Sequence, residues 1–193
     1  MSIRITTPVF RASYANVWVA RAMKEGDEPK FTISMIFNKA ETTPAEIKAI
    51  QDAIKQAIIE KWGPDNTKWP RNLKLPLRDA DNEDRTNPAD PKFDKTYVNS
   101  YTMNTNTKTQ PGIVDAHVQP ILDQSEFYSG CYARATVTLQ AYDKAGGKGV
   151  GCYLGNLMKV REGEALAGGK PASADFAAFA TAPMGDAPES VLA

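Results

Sequence analysis

The densest group of potential metal ligands is the acidic run Asp79-Ala80-Asp81-Asn82-Glu83-Asp84. Carboxylates at alternate positions can hold a divalent cation, as a metal-dependent enzyme acting on nucleic acid requires. The run does not fit an EF-hand loop, because Asp84 stands at the sixth position, where the turn needs glycine. A two-metal nuclease would also need its carboxylates on rigid strands. We therefore expect a solvated loop, with an enzyme using Asp79, Asp81 and Glu83 as the alternative.

Other residues that could carry catalysis are few. His117 is the sole histidine, which excludes a histidine-rich metal site. Cys131 and Cys152 are too far apart for a zinc motif and too few for a disulfide scaffold. Such sparse cysteines are typical of proteins from a reducing cytoplasm. We expect no catalytic site, no metal and no cofactor.

Aromatic and basic residues are interleaved on several predicted strands. A sequence-independent binder of single-stranded nucleic acid needs rings on which bases stack and cations along the phosphate path. Alternate residues of a strand share one surface of a sheet, so strands can present such a set. The candidate stacking residues are Trp18, Tyr97, Tyr101, Tyr132 and Tyr142. The candidate phosphate contacts are Arg21, Lys92, Lys95, Lys108 and Arg134. The same tyrosines could instead form cross-strand pairs or lie beneath an insertion.

The elements that would position these residues are mostly strands. Six segments have strand-like alternation or β-branched composition: 3–10, 17–20, 31–37, 97–103, 131–143 and 150–154. Residues 13–16 interrupt the first two of these segments. The odd positions of 131–143 are all apolar and predict a core face, and a glycine-rich turn joins this strand to the last one.

One helix is predicted at about 44–62. Its apolar stripe consists of Ile47, Ile50, Ile54 and Ile58, which recur at helical spacing. The sequence Thr43-Pro44-Ala45-Glu46 fits a capping box, and Gly63-Pro64 ends the helix. Residues 63–95 are rich in proline and predict a long, partly irregular insertion that could form one wall of a groove.

This order of elements predicts a mainly β protein with one prominent helix. It is compatible with a five-stranded Greek-key barrel, the OB-fold, that carries its helix between the third and fourth strands. An unrelated α+β sheet fits the periodicity almost as well. No stretch approaches about 18 consecutive apolar residues, so we expect no membrane span.

The net charge of zero, from 23 cations and 23 anions, hides an uneven distribution. Residues 1–161 carry +4 and residues 162–193 carry −4. A basic body with an acidic appendage is a pattern found in nucleic-acid binders. We predict a domain over 1–167 and a flexible, mildly acidic tail over 168–193, rich in alanine, glycine and proline. In this tail, Asp175, Phe176 and Phe179 could dock on a partner protein or on the body of the same chain.

Four stretches of the sequence together resemble a known family. They are the opening strand with Ser13-Tyr14-Ala15-Asn16, residues 75–81, residues 110–115 and residues 149–164. In this order and spacing, over about 1–168, the chain resembles the OB-fold single-stranded-DNA-binding proteins that tailed bacteriophages encode for replication and recombination. The tail departs from that family, because it ends Ser190-Val191-Leu192-Ala193 and not in a dense acidic run.

The resemblance implies a non-catalytic protein that coats and protects single-stranded DNA in the cytoplasm of the infected bacterial cell. It leaves open self-association on DNA and recruitment of replication or recombination proteins by the tail. A virion structural protein is a further alternative.

Overall fold

The computed structural model describes residues 2–166, which contain one α-helix and eight strands. The helix, α1, spans Pro44–Trp62. The strands are β1 (Ile3–Thr6), β2 (Phe10–Arg21), β3 (Lys30–Asn38), β4 (Leu77–Asp79), β5 (Ser100–Thr107), β6 (Ile113–Val114), β7 (Tyr132–Lys144) and β8 (Gly147–Arg161). The predicted tail over 168–193, with Asp175, Phe176 and Phe179, lies outside the described residues.

Five of these strands close into a barrel. Around the ring, β2 pairs with β3, β3 with β5, β5 with β8, β8 with β7, and β7 with β2. Only the β5–β8 pair in this ring is parallel. This is the connectivity of a five-stranded Greek-key OB barrel, so the predicted fold class is confirmed.

The interruption at residues 13–16 is a bulge inside a strand and not a connection between strands. β1 and β2 pair with β7 one after the other, so together they form the first barrel strand. The register between β2 and β3 shifts between Ser13 and Asn16. The extra residue of the bulge breaks the inward–outward alternation within β2. The sequence of this single strand therefore resembles that of two separate strands. The predicted place of the helix is therefore wrong: α1 follows β3, which is the second barrel strand.

The helix itself begins and ends as predicted. The Thr43 hydroxyl accepts a hydrogen bond from the Glu46 backbone N–H, and the Glu46 carboxylate accepts one from the Thr43 backbone N–H. These two bonds complete the capping box. The apolar stripe of α1 is buried in the barrel core, as its spacing predicts: Ile47, Ile50, Ile54 and Ile58.

The strongest strand pattern in the sequence also corresponds to a core face. The buried odd positions along β7 and the residue before it are Cys131, Ala133, Ala135, Val137 and Leu139. They pack in one cluster with the helix stripe and with Phe10 and Phe37, whose rings meet edge to face. Both cysteines of the chain are buried free thiols.

Part of the insertion at 63–95 belongs to the barrel wall. β4 pairs with β5, and Lys74 forms a bridge to Gly149 at the start of β8. The Lys74 carbonyl accepts a hydrogen bond from the Val150 N–H at 2.9 Å. A Cβ at Gly149 would lie 2.2 Å from that carbonyl oxygen, so only glycine allows this approach. The segment 74–79 thereby contacts both β5 and β8.

α1 is the only α-helix within residues 2–166, and it contains too few apolar residues to cross a membrane.

Candidate nucleic-acid interface

A groove of about 580 Å³ lies on the outer face of β3 and β5. Its floor is made of two cross-strand pairs, Thr32 with Asn106 and Ser34 with Asn104. The Ser34 hydroxyl donates a hydrogen bond to the Asn104 side-chain oxygen at 2.6 Å. β3 and β5 are the second and third barrel strands, the face on which OB-folds bind oligonucleotides.

The end of β2 and the loop that follows it line one side of the groove. Met23 in this loop is 79% exposed, and Tyr14 in the bulge is 67% exposed. Arg21 and Lys30 are paired in register at the ends of β2 and β3. Among residues 2–166, neither of these two cations forms an ion pair. This side therefore offers apolar surface and two positive charges without an ion pair in the described part of the chain, beside the acidic residues Asp27 and Glu28 of the same loop.

Arg85 of the insertion also lines the groove. Its guanidinium carbon lies 4.1 Å from the centre of the Tyr97 ring, and it forms an ion pair with Glu83. These contacts hold a third cation at the groove. Through Arg85, part of the insertion lies at this groove.

Tyr97 is a core residue and not a stacking residue. It is 2% exposed and lies in a short 3-10 helix, Lys95–Tyr97, before β5 begins. Its hydroxyl lies 2.9 Å from the Ser13 hydroxyl, in a buried hydrogen bond. Burial raises the pKa of Tyr97, and the bond to Ser13 only partly offsets this. The prediction that Tyr97 stacks on a base is wrong, because the fold covers its ring.

Trp18 and Tyr101 are anchored to the core and do not line the groove. Both are half-buried and pack against the barrel core. The Trp18 indole N–H donates to the Phe127 carbonyl at 3.0 Å. The Lys39 ammonium lies 4.7 Å from the centre of the Tyr101 ring. The structure thus assigns packing contacts to both rings and does not bring them together with Arg21.

Tyr132 and Arg134 lie on β7, away from the groove. The Arg161 guanidinium carbon lies 3.4 Å from the centre of the Tyr132 ring. Arg134 donates to the Thr7 carbonyl at 3.3 Å and lines a cleft between α1 and β1. Tyr142 is half-buried on the β7–β8 hairpin, opposite Gly149. The structure therefore does not bring these three candidates to the groove over β3 and β5.

The predicted lysines take two different positions. Lys108 follows β5 and pairs with Glu28, which lines the groove, at 2.6 Å. The hydrogen bond from Lys108 lowers the pKa of Glu28. Lys92 and Lys95 are exposed on the insertion and do not line the groove. Of the ten predicted contact residues, only Arg21 lines the groove directly.

Sequence reasoning missed two exposed tyrosines near the groove. Tyr14 belongs to the break at 13–16, and the interrupted alternation was the available signal that a side chain is turned out of the sheet. Tyr153 on β8 pairs with Asn106 of the groove floor and is 40% exposed. Its alternation with the buried Cys152 and Leu154 already placed it on the outer face.

The acidic run ties the insertion to the barrel. The Lys39 ammonium bonds to the carboxylates of Asp79 and Asp81, each at 2.7 Å. The hydrogen bond from Lys39 lowers the pKa of Asp81. Burial alone would lower the pKa of Lys39, but the two carboxylates outweigh it and raise that pKa.

The third carboxylate of the proposed metal site is also held by cations, because Glu83 pairs with Arg78 and Arg85. No group of three or more His, Cys, Asp or Glu residues in the described part of the chain has a geometry that could hold a metal ion. A structural role thus accounts for all three carboxylates, and the alternative of a metal-dependent enzyme is not favoured.

The sequence matches a family model described as "Enterobacter phage Enc34, ssDNA-binding protein" over residues 3–187. It is also 32% identical over 136 residues to the "Putative protein p50" of Acyrthosiphon pisum secondary endosymbiont phage 1. That alignment covers 67% of this chain and 68% of the phage protein.

Solved structures share the fold. The single-stranded DNA-binding protein from bacteriophage Enc34, solved in complex with ssDNA, matches with a TM-score of 0.70 and 18% identity, over 85% of this chain and 89% of that one. The single-stranded DNA-binding protein gp2.5 of bacteriophage T7 matches with a TM-score of 0.60 and 15% identity, over 91% and 94% of the two chains. Because the family model spans most of the sequence, the chain belongs to the family of the Enterobacter phage Enc34 ssDNA-binding protein.

Proposed function

We propose that this protein binds single-stranded DNA without sequence specificity, and that it coats and protects the strand during phage DNA replication and recombination. The observation that carries the proposal is the groove over β3 and β5, with Arg21 and Lys30 unpaired within residues 2–166 and exposed apolar side chains beside them. Membership in a family described by ssDNA binding supports the same function.

The chemistry of the groove suits a strand of any sequence. Arg21 and Lys30, which form no ion pair within residues 2–166, contact phosphates, which are the same in every nucleotide. The Ser34 hydroxyl already donates to the Asn104 side-chain oxygen, so neither that hydroxyl proton nor that oxygen is free to select a base edge without losing this bond. Tyr153 on the neighbouring β8 extends the surface on which bases can stack. Stacking accepts every base, because each has a π-face.

The small number of available cations sets the salt dependence. Each phosphate neutralised on a single strand contributes a slope of about −0.7 to a plot of log affinity against log salt concentration. For the two contacts made by Arg21 and Lys30, the slope is about −1.4. Stacking then supplies a large share of the affinity.

A titration of a dye-labelled oligo-dT with the full chain tests the proposal. Anisotropy of the dye is a better readout than protein fluorescence, because none of the three tryptophans, Trp18, Trp62 and Trp69, lines the groove. We expect saturable binding at low salt with the slope given above. A duplex of the same length serves as the control. Absence of binding in the micromolar range at low salt would contradict the proposal.

The proposal is one of binding and not of catalysis. Incubation of the oligonucleotide with the protein and Mg²⁺ or Mn²⁺ should leave it intact, and a shortened product would support the enzyme alternative. Large assemblies in light scattering without DNA would instead support a virion structural protein.

The remaining parts of the proposal come from the family resemblance. The protein acts in the cytoplasm of the infected bacterial cell, where replication exposes single strands. It associates with further copies of itself along the strand, and Asp175, Phe176 and Phe179 of the tail contact replication or recombination proteins. Pull-down with the full chain, compared with a chain ending at residue 167, tests the role of the tail.

A further inference from the structure

Tyr14 has a backbone conformation that aromatic residues rarely adopt. Its φ is 45°, in the left-handed region, where the Cβ of an L-residue crowds the backbone. Its ring is 67% exposed, so burial of apolar surface does not compensate for this cost. Strained residues of this kind cluster at binding sites, where the surrounding structure fixes them. Tyr14 meets that description, because it lines the groove.

Both chain neighbours of Tyr14 are fixed by other parts of the molecule. The Ser13 hydroxyl is hydrogen-bonded to the hydroxyl of buried Tyr97 at 2.9 Å. The Ala15 backbone N–H donates to the Ser129 hydroxyl at 3.0 Å. The short 3-10 helix before β5 thus holds one side of residue 14, and the segment before β7 holds the other.

Asn16 completes the restraint from the opposite strand. Its side-chain amide donates to the Thr32 hydroxyl at 3.2 Å and to the Tyr14 carbonyl at 3.3 Å. The bulge is therefore fixed to β3, whose Thr32 belongs to the groove floor. These bonds impose the left-handed conformation and direct the side chain of residue 14 outward.

We propose that Tyr14 stacks on a DNA base, and that the protein loses folding stability in order to hold this ring outside the sheet. The inference rests on the proposed function of the groove. It predicts opposite changes in two quantities, folding stability and affinity for ssDNA. Replacing Tyr14 by a residue that tolerates the left-handed region should raise stability and weaken ssDNA binding at the same time.

Asparagine is the substitution that separates these effects, because it accepts positive φ and has no aromatic ring. Tyr14→Asn should raise the melting temperature by about 2–4 °C. It should weaken oligo-dT binding by roughly 5- to 150-fold, the loss expected for one stacked base. Tyr14→Phe keeps both the ring and the strain, so its affinity and melting temperature should stay close to those of the unchanged chain.

Val118 provides a matched control elsewhere in the chain. It is a second bulky residue with positive φ, at 63°, and is 63% exposed in the loop after β6, outside the groove. Val118→Asn should raise the melting temperature by a similar amount and leave oligo-dT affinity unchanged. The two Asn variants therefore share the relief of strain and differ only in the expected effect on binding.

Each outcome of this comparison decides one claim. Unchanged affinity in Tyr14→Asn, with normal binding by the unchanged chain, would overturn the stacking role. Equal losses in Tyr14→Phe and Tyr14→Asn would overturn it as well, because the hydroxyl and not the ring would then carry the contact. A Tyr14→Asn variant that melts no higher than the unchanged chain would overturn the claim of strain. If the unchanged chain does not bind oligo-dT, the proposed function fails, and the stacking role fails with it.

Discussion

The groove over β3 and β5 and the cleft beside α1 contain similar residue types, but they differ in how the charges are satisfied. In the cleft, Arg134 donates to the Thr7 carbonyl at 3.3 Å. In the adjoining pocket, which Arg134 also lines, Arg161 pairs with Glu41 at 3.2 Å. In the groove, Arg21 and Lys30 make no ion pair with any residue between 2 and 166. Both regions have a tyrosine beside the cations, but the ring of Tyr132 is covered by Arg161.

This difference separates structural from binding residues. An arginine that is already hydrogen-bonded in the fold must lose those bonds before it can contact phosphate, so its net gain is small. An unpaired surface cation displaces only water and counterions when a phosphate binds. Aromatic residues interleaved with cations in a sequence can therefore belong either to a binding surface or to a structural cluster. The two are distinguished by whether the fold supplies carbonyl or carboxylate groups that bond to the cations.

The largest effect is expected when the charges of the groove are reversed. Arg21→Glu combined with Lys30→Glu should weaken oligo-dT binding by about 100-fold or more at low salt, and the loss should shrink as salt screens the repulsion. The melting temperature should change little, because neither residue forms an ion pair within residues 2–166. Anisotropy titrations at several salt concentrations measure this effect.

The control for this variant is a second double reversal with the same net charge on the exposed face of α1, Lys55→Glu with Lys61→Glu. Its oligo-dT affinity should stay within a few-fold of that of the unchanged chain. If both double variants lose affinity equally, the total charge and not the groove determines binding, and the contrast between the two regions fails.

Substitution of Arg134 in the cleft should reduce stability and leave oligo-dT affinity unchanged. Arg134→Ala removes the hydrogen bond to the Thr7 carbonyl and should lower the free energy of unfolding by about 1–2 kcal/mol, while oligo-dT affinity stays within about twofold. Urea unfolding and anisotropy titration measure the two quantities. Arg134→Lys, which keeps the charge, is the companion variant. A loss of affinity in Arg134→Ala alone, with unchanged stability, would restore Arg134 as a phosphate contact.

The smallest change in affinity is expected at Lys108, a predicted phosphate contact that is paired with Glu28 at the edge of the groove. Lys108 holds the pKa of Glu28 below its usual range, so the Glu28 carboxylate is ionised at neutral pH. Glu28→Gln should free Lys108 and strengthen oligo-dT binding about two- to fivefold at low salt. Glu25→Gln, in the same exposed loop, removes the same charge without releasing Lys108. Equal gains in both variants would mean that Lys108 does not contact the strand.

Local signals in the sequence were sufficient for the helix and for the core face of β7. The capping residues Thr43 and Glu46 bond to each other across one turn, so the helix start depends on four consecutive residues. The alternation along 131–143 likewise follows from strand geometry alone. Each of these predictions needed no knowledge of the rest of the chain.

The interface residues could not be chosen in this way, because their exposure depends on distant segments. Strand alternation predicts which residues share a face, but not what covers that face. Tyr97 is buried with Ile36 and Ala80 beneath the insertion, and Tyr132 is covered by Arg161 from the end of β8. Tyr14 is held in a left-handed conformation by bonds of its neighbours to Tyr97, Ser129 and Thr32. No pattern within residues 10–21 contains those partners.

The bridge between Lys74 and Gly149 affects how the protein unfolds locally. The segment 74–79 is a neighbour of both β5 and β8, so the insertion cannot detach without exposing the backbone amides of two barrel strands. Although much of 63–95 has the composition of a loop, this part of it belongs to the same cooperative unit as the barrel. Its amide protons should therefore exchange with solvent together with those of the barrel strands, and not as those of a loop that frays independently.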